Sequence, residues 1–574
     1  MVAGVWQGVR VNPEQSATRR IDALCDAFVD EYCALDPLTA TYAGVPGHDH
    51  ALPDLSPAGY DARVELTRRA VAVVEAATPV DDREAVARDS FLERNRLTLE
   101  MEDAGLLRSQ VNVIASELHG LRMAFDLMPT EGEEALAAID ARLAGLPEAL
   151  RGYRITLAEE AAQGRVSAAR QYAEVAGQVR GWTGQTGAGG DFFAGLVDRL
   201  SPEGSLGEDL RRHAAGASRA VADFGLFLDD EMEPQGRARE AVGREHYALA
   251  SRYFLGAEID LDETYAWGWE ELARLSDDMA ATCHRIVPGS SVAEAVAALK
   301  ADESRVVRGR EQFRLWMQEL ADRTIADLAG VHFDIPEPIR SIECLLAPTN
   351  DGGIYYTGPS EDFSRPGRMW WSVPDGIEDF HPWQQATTVF HEGVPGHHLQ
   401  VAQTVYRRER LNRWQRLLCW VSGHGEGWAL YAERLMDDLG HLDDPADRLG
   451  MLDAQSLRAA RVVVDIGMHL ELEIPTDNPF GFHPGQTWTP ALGREFMGQH
   501  STDDPAVLDF EVKRYLGWPG QAPSYKVGER IWLQAREDVR ARQGEDFDLR
   551  AFHRAALDLG SLGLDPLRAA LGRL

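Results

Sequence analysis

Apolar positions along most of this chain recur at intervals of three and four residues, the spacing that gathers side chains on one face of an α-helix. Ile21, Leu24, Phe28 and Tyr32 follow it, as do the stretches from Phe91 to Leu106 and from Ala220 to Phe227. Turn chemistry interrupts the pattern at Pro53-Asp-Leu-Ser-Pro57 and at Val287-Pro-Gly-Ser290. From about Ala17 to Ala329 the sequence therefore predicts a series of amphipathic helices, unequal in length and without the fixed period of a solenoid. Between Val331 and Val373 the texture changes. Pro336, Pro338, Pro359 and Pro366 break up short β-prone pieces, Gly353-Ile-Tyr-Tyr-Thr357 and Met369-Trp-Trp-Ser-Val373, which predict a small sheet or ribbon. Helical spacing resumes near Trp383 and runs to Leu472, yields to a Pro- and Gly-rich stretch from Pro475 to Pro490, and then returns to the C-terminus.

A chain of 574 residues is about twice the length at which one hydrophobic core stops growing. The expected fold is mainly α, with two helical lobes around a deep cleft and packed as one unit: residues 1–330 as a helical N-terminal lobe and residues 331–574 as a catalytic, metal-binding C-terminal lobe, with the small β element just before its most chemically suggestive helix. Hydrophobic residues at 44% and charged residues at 26% are the balance of a folded protein. The net charge of -34 argues against nucleic-acid and membrane partners, because such a surface repels phosphate backbones and anionic lipid. Five scattered cysteines do not suggest a disulfide framework. The opening MVAGVWQGVRVNPEQSATRR lacks the basic, apolar and small-residue order of a secretory leader, and no run of about 18 apolar residues occurs, so a cytoplasmic protein is expected.

The segment Thr387-Thr-Val-Phe-His-Glu-Gly-Val-Pro-Gly-His-His-Leu-Gln400 carries the candidate chemistry. It begins as a His-Glu-x-x-His zinc signature would, but Pro395 stands where the second His belongs. On a straight helix His397 is about 120° off the face of His391, and His398 is on that face but about 10.5 Å further along, so neither pair can share an ion. Pro395 cannot donate to the His391 carbonyl and its ring collides with it, while Gly396 permits unusual backbone angles. A break is predicted where it can bring His391 and His397 together, with His398 as the competing ligand. Glu426, 29 residues after His397, can supply the third ligand that a catalytic zinc needs, and Glu433 on the same helix face can accept the free ring N–H of a ligating His.

His391-Glu-Gly-Val-Pro-Gly-His-His-Leu-Gln400, Glu426-Gly-Trp-Ala-Leu-Tyr-Ala-Glu433, Arg458-Ala-Ala-Arg-Val-Val-Val-Asp-Ile-Gly-Met-His469 and Arg514-Tyr-Leu-Gly-Trp-Pro-Gly-Gln-Ala-Pro-Ser-Tyr-Lys-Val-Gly528 together resemble the bacterial family catalogued as domain of unknown function 885. That family in turn resembles helical zinc peptidases of the thermostable-carboxypeptidase and oligopeptidase F type. The resemblance implies His391, His397 and Glu426 as ligands of zinc and Glu392 as general base; two imidazoles and a carboxylate also suit cobalt or manganese.

Arg458, Arg461, Asp465 and His469 line one side of a predicted helix, with His469, oriented by Asp465, as a candidate for stabilising an oxyanion. Tyr525 is a second such candidate. Arg461, Arg514 and Lys526, the last one of only three lysines, are candidates for holding a substrate carboxylate, and Tyr355 and Tyr356 for lining the cleft. The expected function is a zinc-dependent hydrolase, a carboxypeptidase- or dipeptidase-like enzyme acting on short peptides. The alternatives are a metal-dependent amide or ester hydrolase or lyase acting on a small non-peptide metabolite, and a helical scaffold that binds without catalysis. The oligomeric state is left open.

Overall fold

The computed structural model describes residues 19–187, 190–347, 353–374 and 376–573. The opening segment, on which the expectation about a leader rests, lies mostly outside them. The protein is mainly α. Before residue 330 the helices include Arg20–Leu35, Asp82–Asp103, Glu133–Ala162 and Gly204–Phe227, in the region of helical spacing. Among the described residues no helix is long and apolar enough to cross a membrane.

The strands are short. β1 (Val307–Arg308) pairs antiparallel with β5 (Asp379–Phe380), and β2 (Ile342–Leu346), β3 (Ile354–Thr357) and β4 (Gly367–Trp371) form a sheet in the order β2-β4-β3. β2 runs parallel to β4 and β3 antiparallel to it, with Tyr356 opposite Met369. Gly367, Met369 and Trp371 alternate as the buried face of β4.

The hydrophobic core is continuous across residue 330. One hydrophobic core extends from Tyr247 and Leu261 through Phe313 to Leu571, a second gathers residues from Leu38 to Met232, and a third joins Ile21 to Leu92 with Trp414, Cys419 and Val421. The reason is the close packing of α1 (Leu261–Ile286) along a long helix from the C-terminal half (Pro445–Leu470): a Cβ on Gly268 would meet Val463 at 3.0 Å. Helices that precede residue 330 thus bury their apolar faces against those that follow it. The five cysteines are buried and unpaired.

The helices around the chemistry-bearing residues are α2 (Pro382–Glu392), α3 (His397–Tyr406), α4 (Ser422–Asp438), α5 (Pro445–Leu470), α6 (Pro505–Gly517) and α7 (Ser524–Gln543). α4 and α7 cross where glycines face each other. A Cβ on Gly427 would stand 2.4 Å from the Gly528 carbonyl carbon, and one on Gly528 2.2 Å from the Gly423 carbonyl oxygen, so a side chain at either position would push the two helices apart.

Candidate metal centre

α2 starts at Pro382, where a missing N–H costs nothing, and stops at Glu392. Its continuation is prevented by Gly393, Pro395 and Gly396, and α3 restarts at His397. Gly396 lies so close under the end of α2 that a Cβ there would meet the His391 carbonyl oxygen at 1.9 Å. The turn is held from outside by Trp428, fully buried on α4, whose indole N–H donates to the Pro395 carbonyl at 2.8 Å.

This break folds His397 back toward His391, with ring centroids 4.8 Å apart. Glu426 Oε2 lies 3.4 Å from His391 Nε2 and 3.4 Å from His397 Nε2. Ligand-capable atoms of His391, Glu392 and His397 also lie within 4.8 Å of one another. Glu426 is the better third ligand than Glu392, because its oxygen stands at the same short distance from both imidazoles. Glu392 is buried and its Oε2 has no hydrogen-bond partner among the described residues.

The far side of His391 is fixed. Its Nδ1–H donates to Glu433 Oε1 at 2.7 Å, and the Thr387 hydroxyl donates to Glu433 Oε2 at 2.5 Å, which turns Nε2 toward Glu426. Burial would lower the pKa of His391, but hydrogen bonds to Glu426 and Glu433 outweigh it and raise it to about 10. Burial raises Glu426, and His397 with His391 overrides it to hold the carboxyl well below its usual range. Burial keeps Glu392 above the ordinary carboxyl value against the pull of both histidines.

Two buried carboxylates, Glu392 and Glu433, and the half-buried Glu426 thus surround two imidazoles, and the surplus negative charge calls for a cation. Donor atoms around a tetrahedral zinc with bonds of about 2.0–2.1 Å lie about 3.4 Å apart, which matches the two Glu426 distances of 3.4 Å. By donor type, burial and spacing, the residues present fit a divalent metal.

Several expected site residues stand elsewhere. His398 is excluded as a ligand in this arrangement: its Nε2–H donates to the Ile339 carbonyl at 2.7 Å, and its Nδ1 accepts from the Tyr356 hydroxyl at 3.0 Å. Tyr356 is therefore a strut between β3 and α3 and does not line a cleft. Tyr355, on the opposite face of β3, stacks with Trp370 at 6.2 Å. His469 lies 11 residues beyond Arg458, about 16 Å along α5, and donates from Nε2 to the Tyr515 carbonyl at 3.0 Å. Asp465 does not orient it by a hydrogen bond, standing 3.7 Å away, and accepts instead from the Tyr247 hydroxyl and the Gly520 N–H. Lys526 is 1% exposed, bonded to Gln455 and Glu529 and paired with Glu271 at 3.0 Å, so its charge is spent inside the core.

Arg461 and Arg514 are closer to expectation. Both bind Glu511, at 2.6 and 3.0 Å, and Arg461 lies over the Tyr525 ring at 4.9 Å. Two guanidiniums share one carboxylate, which leaves a buried positive charge. This cluster reaches α4, the helix of Glu426: Arg514 donates to Gln521 at 2.6 Å, and Gln521 donates to Ser422, one turn before Glu426, at 3.3 Å. Half-buried Tyr525 stands 3.5 Å from Arg514.

Three residues were not assigned a site role from sequence. Arg458 projects from α5 close enough for its charge to act on both Glu392 and Glu433. Its place in the polar row with Arg461 was the available signal. Trp420, 52% exposed, rests against His397 with ring centroids 5.9 Å apart and lies over Gly425. Trp428 holds the turn, and no spacing rule marks it.

The model of a bacterial protein family of unknown function, DUF885, matches residues 37–571. The chain belongs to the DUF885 family. No curated protein matches it. Among solved structures it is similar to one described as a putative lipoprotein from Colwellia psychrerythraea, with TM-score 0.84, 21% identity, and coverage of 96% of this chain and 98% of the other. A second, described as a putative lipoprotein of unknown function from Shewanella oneidensis, has TM-score 0.70 and 18% identity, with 96% and 99% covered. At these identities the likeness is one of fold. The DUF885 chain described here thus shares its architecture over nearly its whole length with both.

Proposed function

We propose that this DUF885 protein is a metal-dependent hydrolase, with zinc as the first candidate ion, acting on short peptides that carry a free carboxylate. The observation that carries the reading is the convergence of His391 Nε2 and His397 Nε2 on one oxygen of Glu426, each at 3.4 Å, beside a buried Glu392 with an unpartnered oxygen. A divalent ion held by His391, His397 and Glu426 supplies Lewis acidity toward a carbonyl group and water.

The chain's own residues do the rest. Glu392 Oε2 takes a proton from the attacking water and returns it to the leaving nitrogen, and its burial-raised pKa suits a group that must both accept and donate. Glu433 and Thr387 keep the His391 ring from rotating. Arg458 balances part of the acidic charge, Arg461 and Arg514 receive the substrate carboxylate, and Tyr525 orients it. The resemblance to helical zinc peptidases supports the same assignment.

Metal analysis of protein purified from zinc-supplemented culture, beside Glu426→Ala, tests the centre; the expected result is about one zinc per wild-type chain and loss in the variant. A dipeptide and tripeptide panel then tests the reaction, with Glu392→Gln expected to retain metal and lose turnover. A metal-free wild type overturns the reading.

A further inference from the structure

A cavity of about 220 Å³ lies well apart in sequence from the histidine cluster. It forms where the turn after the helix Asp82–Asp103, the loop before the helix Ala169–Trp182, the stretch from Arg237 to His246 and the end of α6 meet. Exposed Ala104 and Gly164 stand at its rim. Sites for drug-sized ligands are about 300–1,000 Å³, so this one suits a small metabolite and not a peptide.

Its lining reverses the charge of the protein. The chain has 92 acidic residues against 58 basic ones, yet no Asp or Glu lines the cavity, while Arg165, Arg237 and His246 do. Arg165 is matched by Glu160 at 2.7 Å. Arg237 is not matched: its Nε and Nη1 donate to the carbonyls of Val166, Arg239 and Ala241 at 3.1, 3.2 and 3.4 Å, which fixes the guanidinium without neutralising it. Glu240, a carboxylate whose charge reaches Arg237, is held by Arg170 at 2.7 Å. Burial, helped by the Arg237 charge, lowers His246 to about 4, so its imidazole is neutral at neutral pH and free to donate from one nitrogen.

Gln171 contributes wall and no contact of its own. It lines the same cavity at 1% exposure; its Nε2 donates to the Lys513 carbonyl at 2.9 Å, but its Oε1 has no partner among the described residues. That oxygen is sealed from the cavity against Gly517. The fixed cation describes a ligand with a negative group.

We propose that this cavity binds a small anion, its phosphate or carboxylate held by Arg237 and His246. The proposal does not depend on hydrolase activity or on metal. Isothermal titration calorimetry of the full chain at constant ionic strength tests it with inorganic phosphate, glycerol 3-phosphate, glycerate and glycerol. Glycerol 3-phosphate or glycerate should bind saturably with a Kd of about 1 mM or tighter, and which of the two binds identifies the anionic group. Glycerol should give no saturable heat. Arg237→Gln should weaken binding at least about tenfold. Because Arg237 also braces three carbonyls, His246→Ala is the second variant, expected to weaken binding several-fold on an intact fold. No saturable binding of any anionic probe overturns the proposal. So does binding that survives both Arg237→Gln and His246→Ala, as occupancy of the histidine cluster would.

Discussion

Replacing Gly396 with alanine asks whether the turn between α2 and α3 sets the distance between the two histidines. The added Cβ would stand 1.9 Å from the His391 carbonyl oxygen, 2.5 Å from that of Phe390 and 2.6 Å from the His391 carbonyl carbon. These are main-chain atoms, so no side chain can swing aside. Ordinary contact begins at 3.4 Å, and the turn must therefore open by about 1.5 Å, the difference between 3.4 and 1.9. That displacement falls directly between His391 at the end of α2 and His397 at the start of α3. A ligand set holds its function within about 0.5 Å, so the opening exceeds the tolerance about threefold. The expected loss in zinc affinity is at least about 10–100-fold, the scale on which disturbed ligand orientation acts. Overpacking adds a destabilisation of about 1–3 kcal/mol. Competition with a chromophoric chelator measures the affinity, and thermal unfolding of metal-free protein measures the packing cost separately. Gly396→Ala protein that binds zinc as tightly as wild type would refute the role given to this turn.

Glu433→Gln preserves shape but replaces the carboxylate that accepts from His391 Nδ1; zinc affinity should fall about 10–100-fold with little change in helicity by circular dichroism, and unchanged affinity would remove Glu433 from the site. Trp428→Phe leaves the buried Pro395 carbonyl without its 2.8 Å donor; a cost of about 1–3 kcal/mol in urea denaturation is expected, together with weaker metal binding. Lys526→Met leaves Glu271 and Glu529 short of a cation, which should cost about 3–5 kcal/mol without raising the KM for a peptide. A raised KM at normal stability would return Lys526 to the substrate. Burial pushes Glu511 up, but Arg461 and Arg514 draw it down to about 2 from 4.5. A depressed carboxylate gives stability that is complete above pH 4.5 and is lost as pH falls toward 2. The urea midpoint of wild type should therefore drop more steeply over that interval than that of Glu511→Gln, and parallel slopes would contradict it.

Local patterning was enough to specify the mainly α class, the short strands near Ile354–Thr357 and Gly367–Trp371, and the break at Pro395-Gly396, because each depends on neighbours within a few residues. The same local logic marked His391, His397, Glu426 and Glu433, since helix phase places residues seven apart on one face and a proline stops a helix wherever it stands. What it could not supply was the environment of each side chain. Lys526 and Arg514 look alike in sequence, yet one is buried between Glu271 and Glu529 and the other shares Glu511 with Arg461. His397 and His398 are adjacent, and only the packing of α3 on β3 decides that His398 turns to Tyr356 and Ile339 while His397 faces Glu426. The packing across residue 330 lay out of reach for the same reason. Helical periodicity tells which face of α1 is apolar but not that α5, nearly two hundred residues later, covers it. Periodicity and backbone chemistry are properties of short stretches and belong to the sequence; pairing of charges and faces is a long-range choice, made only when the chain closes on itself.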